Sequence, residues 1–315
     1  MPAPALLAVD WGTSALRGAL LAADGAVLAE HAAPRGLLAV APGGWPAAFA
    51  AEFGPWLAAH PGLPCLMAGM VGSRQGWAEA PYQACPAGLA DLAGALHWLQ
   101  PGTLAIVPGL STDAGGAPDV LRGEEVQVFG ALQAMGEADG GGGGAHTLVL
   151  PGTHSKWVQV QAGRITGLAT HMTGECYALL RQQSILARML PADDADLDGP
   201  AFDAGVAQAA TPGGLLHHLF SVRTLALFDR ASGPEAASRL SGLLIGEELR
   251  AQAGLLPAGL PITVIGSPML APRYARALRA RGHVVRQAPA DAGWRGMFAV
   301  ARCAGMLAGA GTLPA

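Results

Sequence analysis

Val9-Asp10-Trp11-Gly12-Thr13-Ser14-Ala15-Leu16-Arg17 decides how the chain is to be read. The apolar run Ala5–Val9 before it has the character of a buried strand, and Asp10 puts a carboxylate at the strand's end. Gly12 allows a tight turn, and Thr13 and Ser14 bring hydroxyls and backbone N–H groups to it. Ala15–Leu21 then reads as a second strand, Asp24-Gly25 as a hairpin turn and Ala26–Glu30 as a third strand. The order is strand, small-residue turn, strand. It differs from the strand–loop–helix of a Walker A loop, and the chain contains no GxxxxGK[ST].

The arrangement recurs once. Leu148-Val149-Leu150-Pro151-Gly152-Thr153-His154-Ser155-Lys156-Trp157 is again an apolar strand, a Gly-Thr turn and an outgoing strand. Val158 and Val160 alternate there with Gln159 and Gln161, a turn with Gly163 follows, and Ile165–His171 forms the third strand. Each turn taken singly is an ordinary glycine hairpin. As a pair, with Asp10 on one and Lys156 on the other, they could grip a polyphosphate with backbone N–H groups from two sides. Lys156 is the only lysine in a chain whose other basic residues are arginines.

Composition narrows the function classes. Of 315 residues 51% are hydrophobic and 13% charged, which is ample for a core and unlike a disordered chain. A net charge of −4 argues against a general nucleic-acid binder. No uninterrupted apolar run reaches the roughly 18 residues of a membrane span, and the N-terminus lacks the basic start of a signal peptide. Cys65, Cys85, Cys176 and Cys303 lie far apart, with no zinc or CxxC spacing. They read as reduced, mostly buried thiols of a cytoplasmic protein.

Along the chain, Trp45–Ala59 is a helix packed by Trp45, Phe49, Phe53 and Trp56. Pro64–Met70 is a strand ending in the polar, glycine-rich Gly69–Trp77, at the strand end where α/β sheets bind ligands. Leu89–Leu99 reads as a short helix and Leu104–Val107 as a strand. Arg122-Gly123-Glu124-Glu125 opens an apolar-periodic helix, where acidic residues suit the helix dipole. The glycine-rich stretch 136–145 separates an N-terminal domain, 1–135, from a C-terminal domain, 146–315. The latter continues with helices over Cys176–Leu190, 201–230 and Ser238–Gln252. Strand Ile262–Ile265, helix Leu270–Arg281, strand His283–Gln287 and helix Trp294–Leu307 complete it.

This double layout resembles the hexokinase–actin superfamily, with VDWGTSALR similar to its first phosphate motif, LPGTHSKW to its second and VIGSPML to its adenosine motif. MAGMVGSRQGW, RGEE, PGTHSKWV, MTGE and LSGLLIGEE together resemble the 2-dehydro-3-deoxygalactonokinase family, over roughly residues 5–310. The resemblance implies an α/β chain of two ribonuclease-H-like domains with a nucleotide cleft between them and a helical insertion in the second. It implies transfer of a phosphoryl group from ATP to the 6-hydroxyl of 2-dehydro-3-deoxy-D-galactonate. The expected partner is that small-molecule sugar acid, with no nucleic acid, no membrane and a possible homodimer.

Phosphoryl transfer needs positioning, charge neutralisation and a group to take the hydroxyl proton. On this reading Gly12, Thr13 and Ser14 hold the phosphates from one side, Gly152, Thr153 and His154 from the other, and Gly266 and Ser267 serve the adenosine motif. Asp10 orients Mg²⁺ through its water shell, and Lys156 neutralises the transferred group or pairs with Asp10. Related sugar kinases place a Gly-Asp pair at a helix start before the second motif. Gly123-Glu124 stands in that place, so Glu124 is the candidate base and Glu125 the runner-up. Arginine suits a carboxylate, and Arg122 and Arg74 are the candidates, with Ser73, Trp77 and Glu175 beside them and Arg17 ranked last. Rival readings are a kinase of the same fold for another sugar acid and a non-enzymatic nucleotide-driven clamp. A hydrolase built on Cys176 or Ser155 lacks the strand–elbow–helix GxSxG context.

Overall fold

The structure, a computed structural model, describes residues 2–113, 115–136, 144–193, 196–256 and 259–307. It divides into two compact units. One comprises Met1–Ala145, Val158–Leu168 and Ala288–Ala315, the other His146–Trp157 and Ala169–Gln287.

The first unit is built on the meander of the opening motif. Strands β1 (Pro4–Trp11), β2 (Leu16–Ala22) and β3 (Val27–Ala33) pair antiparallel in sequence. Helix α1 (Trp45–Ala59) leads to β4 (Cys65–Gly69), which pairs parallel with β1. Next come β5 (Gln83–Ala84), α2 (Leu89–Gly94), β6 (His97–Gln100), β7 (Leu104–Ile106), β8 (Leu110–Thr112), β9 (Asp119–Leu121) and α3 (Glu124–Ala134). The main sheet has the order β3-β2-β1-β4-β7-β6, and β5, β8 and β9 form a small second sheet. The aromatic stripe of α1 is core, as its spacing predicts. Trp45 lies 4.9 Å from Trp11, and Phe53 presses on Gly18, where a Cβ would sit 2.3 Å from its ring.

The second meander supplies β10 (Ala145–Leu150), β11 (Ser155–Gln161) and β12 (Arg164–His171). Helices α4 (Thr173–Gln183), α5 (Gly199–Ala209), α6 (Gly214–Leu227) and α7 (Gly233–Gln252) follow, then β13 (Ile262–Val264), α8 (Ala271–Ala280), β14 (Val285–Gln287) and α9 (Ala292–Cys303). The sheet order is β12-β11-β10-β13-β14, with β13 parallel to both neighbours. Each sheet therefore runs third, second, first strand of its meander and then a parallel strand. This is the duplicated α/β layout of the hexokinase–actin fold, and α5–α7 are the helical insertion. Small residues set that insertion's tight crossing: a Cβ on Gly242 would lie 2.1 Å from the Phe202 carbonyl, and one on Gly205 2.4 Å from that of Arg239.

Several elements differ from the sequence reading. The helix expected over Leu89–Leu99 ends at Gly94, and His97–Gln100 becomes an antiparallel edge strand beside β7. The helix expected from Cys176 starts at Thr173 and stops at Gln183, where Ser184 caps a short 3-10 turn, Ile185–Met189. Helix α7 begins five residues early because Ser232 and Glu235 form a capping box and Pro234 sits in the first turn, where its missing N–H costs nothing. Beside the expected domain of residues 146–315, the division by contacts gives the first unit Val158–Leu168 and, with α9, also Ala288–Ala315. Glycines explain the membership of α9: Cβ atoms at Gly130 and Gly296 would lie 1.7 Å from the carbonyl oxygens of Ala292 and Val126, so α9 packs directly on α3. Of the glycine-rich stretch 136–145 expected to separate the domains, 137–143 lie outside the described residues. The cysteines are unpaired, but only Cys65 is buried; Cys85 and Cys176 are half-buried and Cys303 is exposed. Among the described residues no helix is long and apolar enough to cross a membrane.

Candidate active site

In the first unit the Gly12 turn closes with a hydrogen bond from its N–H to the Ala15 carbonyl, at 2.9 Å. Gly36 lies against its outer side, where a Cβ would come within 2.3 Å of the Thr13 carbonyl. Thr13 and Ser14 are exposed. Asp10 and Arg17 are cross-strand partners in the β1–β2 register, so they share a face, and their side chains pair at 2.5 Å. That register puts Arg17 on the Asp10 face of the sheet.

Two glycines bring α3 to this edge. Gly69 ends β4 with φ +94°, a Cβ there would lie 2.8 Å from the Trp11 carbonyl and 3.4 Å from an Asp10 carboxylate oxygen. Gly123 caps α3 with φ +104°, and its Cβ would meet the Cα of Gly69 at 3.0 Å. Neither backbone conformation suits a side chain. Together they set Glu124 beside the ends of β1 and β4. Glu124 is half-buried and accepts the Arg122 N–H at 2.9 Å. Glu125 is fully buried, one oxygen accepts the Gly123 N–H at 2.7 Å, and the other has no partner. Burial, and then the charge of Glu124, push its pKa up to about 8.

The candidate substrate residues separate sharply. Arg74 is largely exposed and paired with Glu79 at 2.9 Å. Arg122 stacks over the Tyr82 ring at 4.2 Å and donates Nη2 to the Ala80 carbonyl at 2.8 Å, while its buried Nε and Nη1 have no partner. Ser73 Oγ is likewise buried without one. Gly72 leaves room for the guanidinium, since a Cβ there would lie 2.9 Å from Arg122 Nη1. Trp77 is half-buried against the aromatic core, 5.5 Å from Phe49.

In the second unit the burial pattern of the first turn repeats: Gly152 is half-buried, Thr153 and His154 are exposed, and the next strand is buried. Gly174, in the first turn of α4, lies so close that a Cβ would come within 2.3 Å of the Gly152 carbonyl. The Glu175 N–H donates to the Thr153 carbonyl at 2.9 Å, and the Glu175 carboxylate pairs with His154 at 2.6 Å. Glu175, expected beside the substrate arginines, thus sits on the second turn. Lys156 is buried and donates to Thr170 Oγ1 at 2.9 Å. Gly266 lies against Pro151, where a Cβ would be 3.4 Å from its ring. A pocket of about 260 Å³ opens beside the turn, lined by Gly152, Thr153, Tyr177, Leu244, Ser267 and Arg273 among others.

Sequence reasoning missed the residue that underlies this pocket. Glu248 is 2% exposed and accepts four hydrogen bonds. Ser155 Oγ and Trp157 Nε1 donate to one oxygen, each at 2.7 Å. Tyr274 Oη at 2.7 Å and Thr173 Oγ1 donate to the other. The signal was present: Leu240 and Leu244 form a buried stripe on α7, and the next step of four on that stripe is an acid.

The comparisons with known proteins follow this geometry. The 2-keto-3-deoxy-galactonokinase family model matches residues 10–300. A curated relative from Rhizobium meliloti (strain 1021), named as a probable 2-dehydro-3-deoxygalactonokinase, is 36% identical over 94% of this chain and 96% of its own. The 2-dehydro-3-deoxygalactonokinase of Escherichia coli (strain K12) is 33% identical over 88% of this chain and 90% of its own. A crystal structure from Sinorhizobium meliloti, assigned as a 2-dehydro-3-deoxygalactonokinase, superposes with a TM-score of 0.83 at 35% identity, covering 94% of this chain and 98% of that one. By the family match and the extent of these alignments, the chain belongs to the 2-keto-3-deoxy-galactonokinase family.

Proposed function

We propose that the chain is an ATP-dependent kinase that phosphorylates the 6-hydroxyl of 2-dehydro-3-deoxy-D-galactonate, a step of galactonate breakdown. The observation that carries this reading is the paired Gly-Thr turn. The same strand–turn–strand motif, with the same burial pattern, occurs twice in the chain, and the second turn opens onto a pocket. Backbone N–H groups of Thr13 and Ser14, on the turn that the Gly12 N–H closes, and of Gly152, Thr153 and His154 hold the phosphates. Ser267 and Gly266 flank the nucleoside, and Lys156 offsets charge on the transferred group.

Glu124 takes the proton of the attacking hydroxyl. It is half-buried, whereas Glu125 is sealed from solvent and holds its proton near neutrality. Arg122 grips the sugar-acid carboxylate with Ser73, because its Nε and Nη1 are two buried donors awaiting an acceptor. Arg74 already has Glu79. Among the described residues no three His, Cys, Asp or Glu converge on a metal position. Magnesium commonly takes one or two carboxylates and draws its other oxygens from water and phosphate. The partly exposed Asp10 fits an ion that arrives with the nucleotide, and such an ion would supply charge neutralisation at the phosphate oxygens. The test is ADP release by the purified protein with ATP, Mg²⁺ and a substrate panel. Strong preference for 2-dehydro-3-deoxygalactonate over gluconate, glycerol and acetate is expected. ADP release that no sugar acid accelerates overturns the assignment.

A further inference from the structure

We infer that Glu248 is the positioning residue of the second phosphate turn, a buried carboxylate that fixes three pocket-forming elements at once. The inference rests on the kinase reading of that turn. Ser155 and Trp157 are one and three residues into the strand or its approach beyond His154, so they share a face opposite Lys156. Their donors meet one Glu248 oxygen. Thr173 begins α4, whose next residue, Gly174, lies on the Gly152 carbonyl. Tyr274 comes from α8, which follows the Gly266-Ser267 bend. Their hydroxyls meet the other oxygen. Thr173 and Tyr274 also line the pocket.

The four donors are neutral, so the carboxylate is satisfied by hydrogen bonds rather than by a paired cation. Burial and the charge of Glu248 push the Tyr274 pKa well up, which keeps its hydroxyl a donor. A buried carboxylate costs several kcal/mol to desolvate unless such partners surround it. Four convergent donors from three elements make the arrangement directional. If any one element slides, a donor or an acceptor is left unsatisfied in the interior. Glu248 does not line the pocket itself, so it acts through the residues it holds.

The test uses calorimetric titration of the full chain with a nonhydrolysable ATP analogue, beside steady-state kinetics and thermal melting. Glu248→Gln keeps the shape but replaces one acceptor with an NH₂ donor. It is expected to weaken nucleotide binding by about 10- to 100-fold, the size of effect expected when a buried charge-assisted hydrogen bond is lost and a donor is left unsatisfied. KM for the sugar acid should stay within about twofold, because its proposed contacts, Arg122 and Ser73, lie on elements that Glu248 does not touch. Ser155→Ala removes one donor and is expected to weaken nucleotide binding about threefold. A lowered melting temperature with wild-type nucleotide affinity in both variants overturns the inference. Should Glu248→Gln fail to fold, Ser155→Ala decides alone. Failure of the wild-type chain to bind the nucleotide analogue overturns the kinase reading itself, an outcome distinct from equal binding by wild type and variants.

Discussion

Replacing Glu125 with glutamine should change how stability depends on pH, and the size of the effect follows from the site. Glu125 is fully buried, keeps one oxygen on the Gly123 N–H, and has no partner for the other. Burial first, and the neighbouring Glu124 second, raise its pKa from an ordinary 4.5 to about 8. Between these values the folded chain binds a proton that the unfolded chain has released. The contribution to stability is therefore complete below about pH 4.5 and is lost as pH rises through 8, at up to about 1.4 kcal/mol per pH unit. Between about pH 5 and about pH 9 wild type should lose roughly 4 kcal/mol through this group alone. Glutamine does not ionise and retains an acceptor for Gly123. Urea unfolding of both proteins at several pH values isolates Glu125 and its coupling to Glu124, because titrations independent of this pair cancel in the difference. The stability of Glu125→Gln relative to wild type should climb steadily with pH across that range. A difference that stays flat to within about 0.5 kcal/mol would refute the claim that the carboxyl is held neutral.

Other expectations test separate parts of the structure. Glu124→Gln should lower kcat by about 10²- to 10⁴-fold while nucleotide still binds; unchanged turnover removes it from the base role. Arg122→Lys should raise KM for the sugar acid about 10- to 100-fold through loss of charge-assisted, fork-shaped hydrogen bonds, and an unchanged KM would shift the carboxylate contact elsewhere. Arg74→Ala, at an exposed ion pair, should leave the same KM within about twofold. Gly296→Ala would put a methyl 1.7 Å from the Val126 carbonyl and should cost about 3 kcal/mol or more in urea unfolding; a loss below about 0.5 kcal/mol would mean that α3 and α9 are not in direct backbone contact.

The parts of the fold legible in the sequence were those whose residues act locally. The two meanders declare themselves through apolar strands punctuated by Gly12 and Gly152, and α1 through an aromatic stripe of helical spacing. Strands of two to four residues carry too few positions for alternation to show, so the sheet of β5, β8 and β9 and the edge strand β6 escaped notice. The membership of α9 escaped because it depends on Gly130 and Gly296, two glycines 166 positions apart that matter only when their helices meet. Inside a helix a glycine reads as a mild flaw, and only the packed pair reveals it as a contact.

The two Gly-Glu-Glu segments show why the candidate site was only half visible. In each, the first acid is half-buried and the second is buried: Glu124 then Glu125, and Glu247 then Glu248. Residue patterning offers the same bland account of both pairs, polar residues on helices; only the family resemblance ranks Glu124 over Glu125, and nothing ranks Glu247 against Glu248. The surroundings differentiate them. Glu247 spends its charge on Arg250 across one helical turn, at 2.5 Å. Glu248 meets four neutral donors that arrive from β11, α4 and α8. Glu125 meets one N–H and an empty side, which favours its protonated form. That leaves Glu124 as the acid of its pair with both partial exposure and a place beside the ends of β1 and β4. The environment of the two acids therefore supports the proposal of Glu124 as the base, which the resemblance had suggested from its place at the helix start.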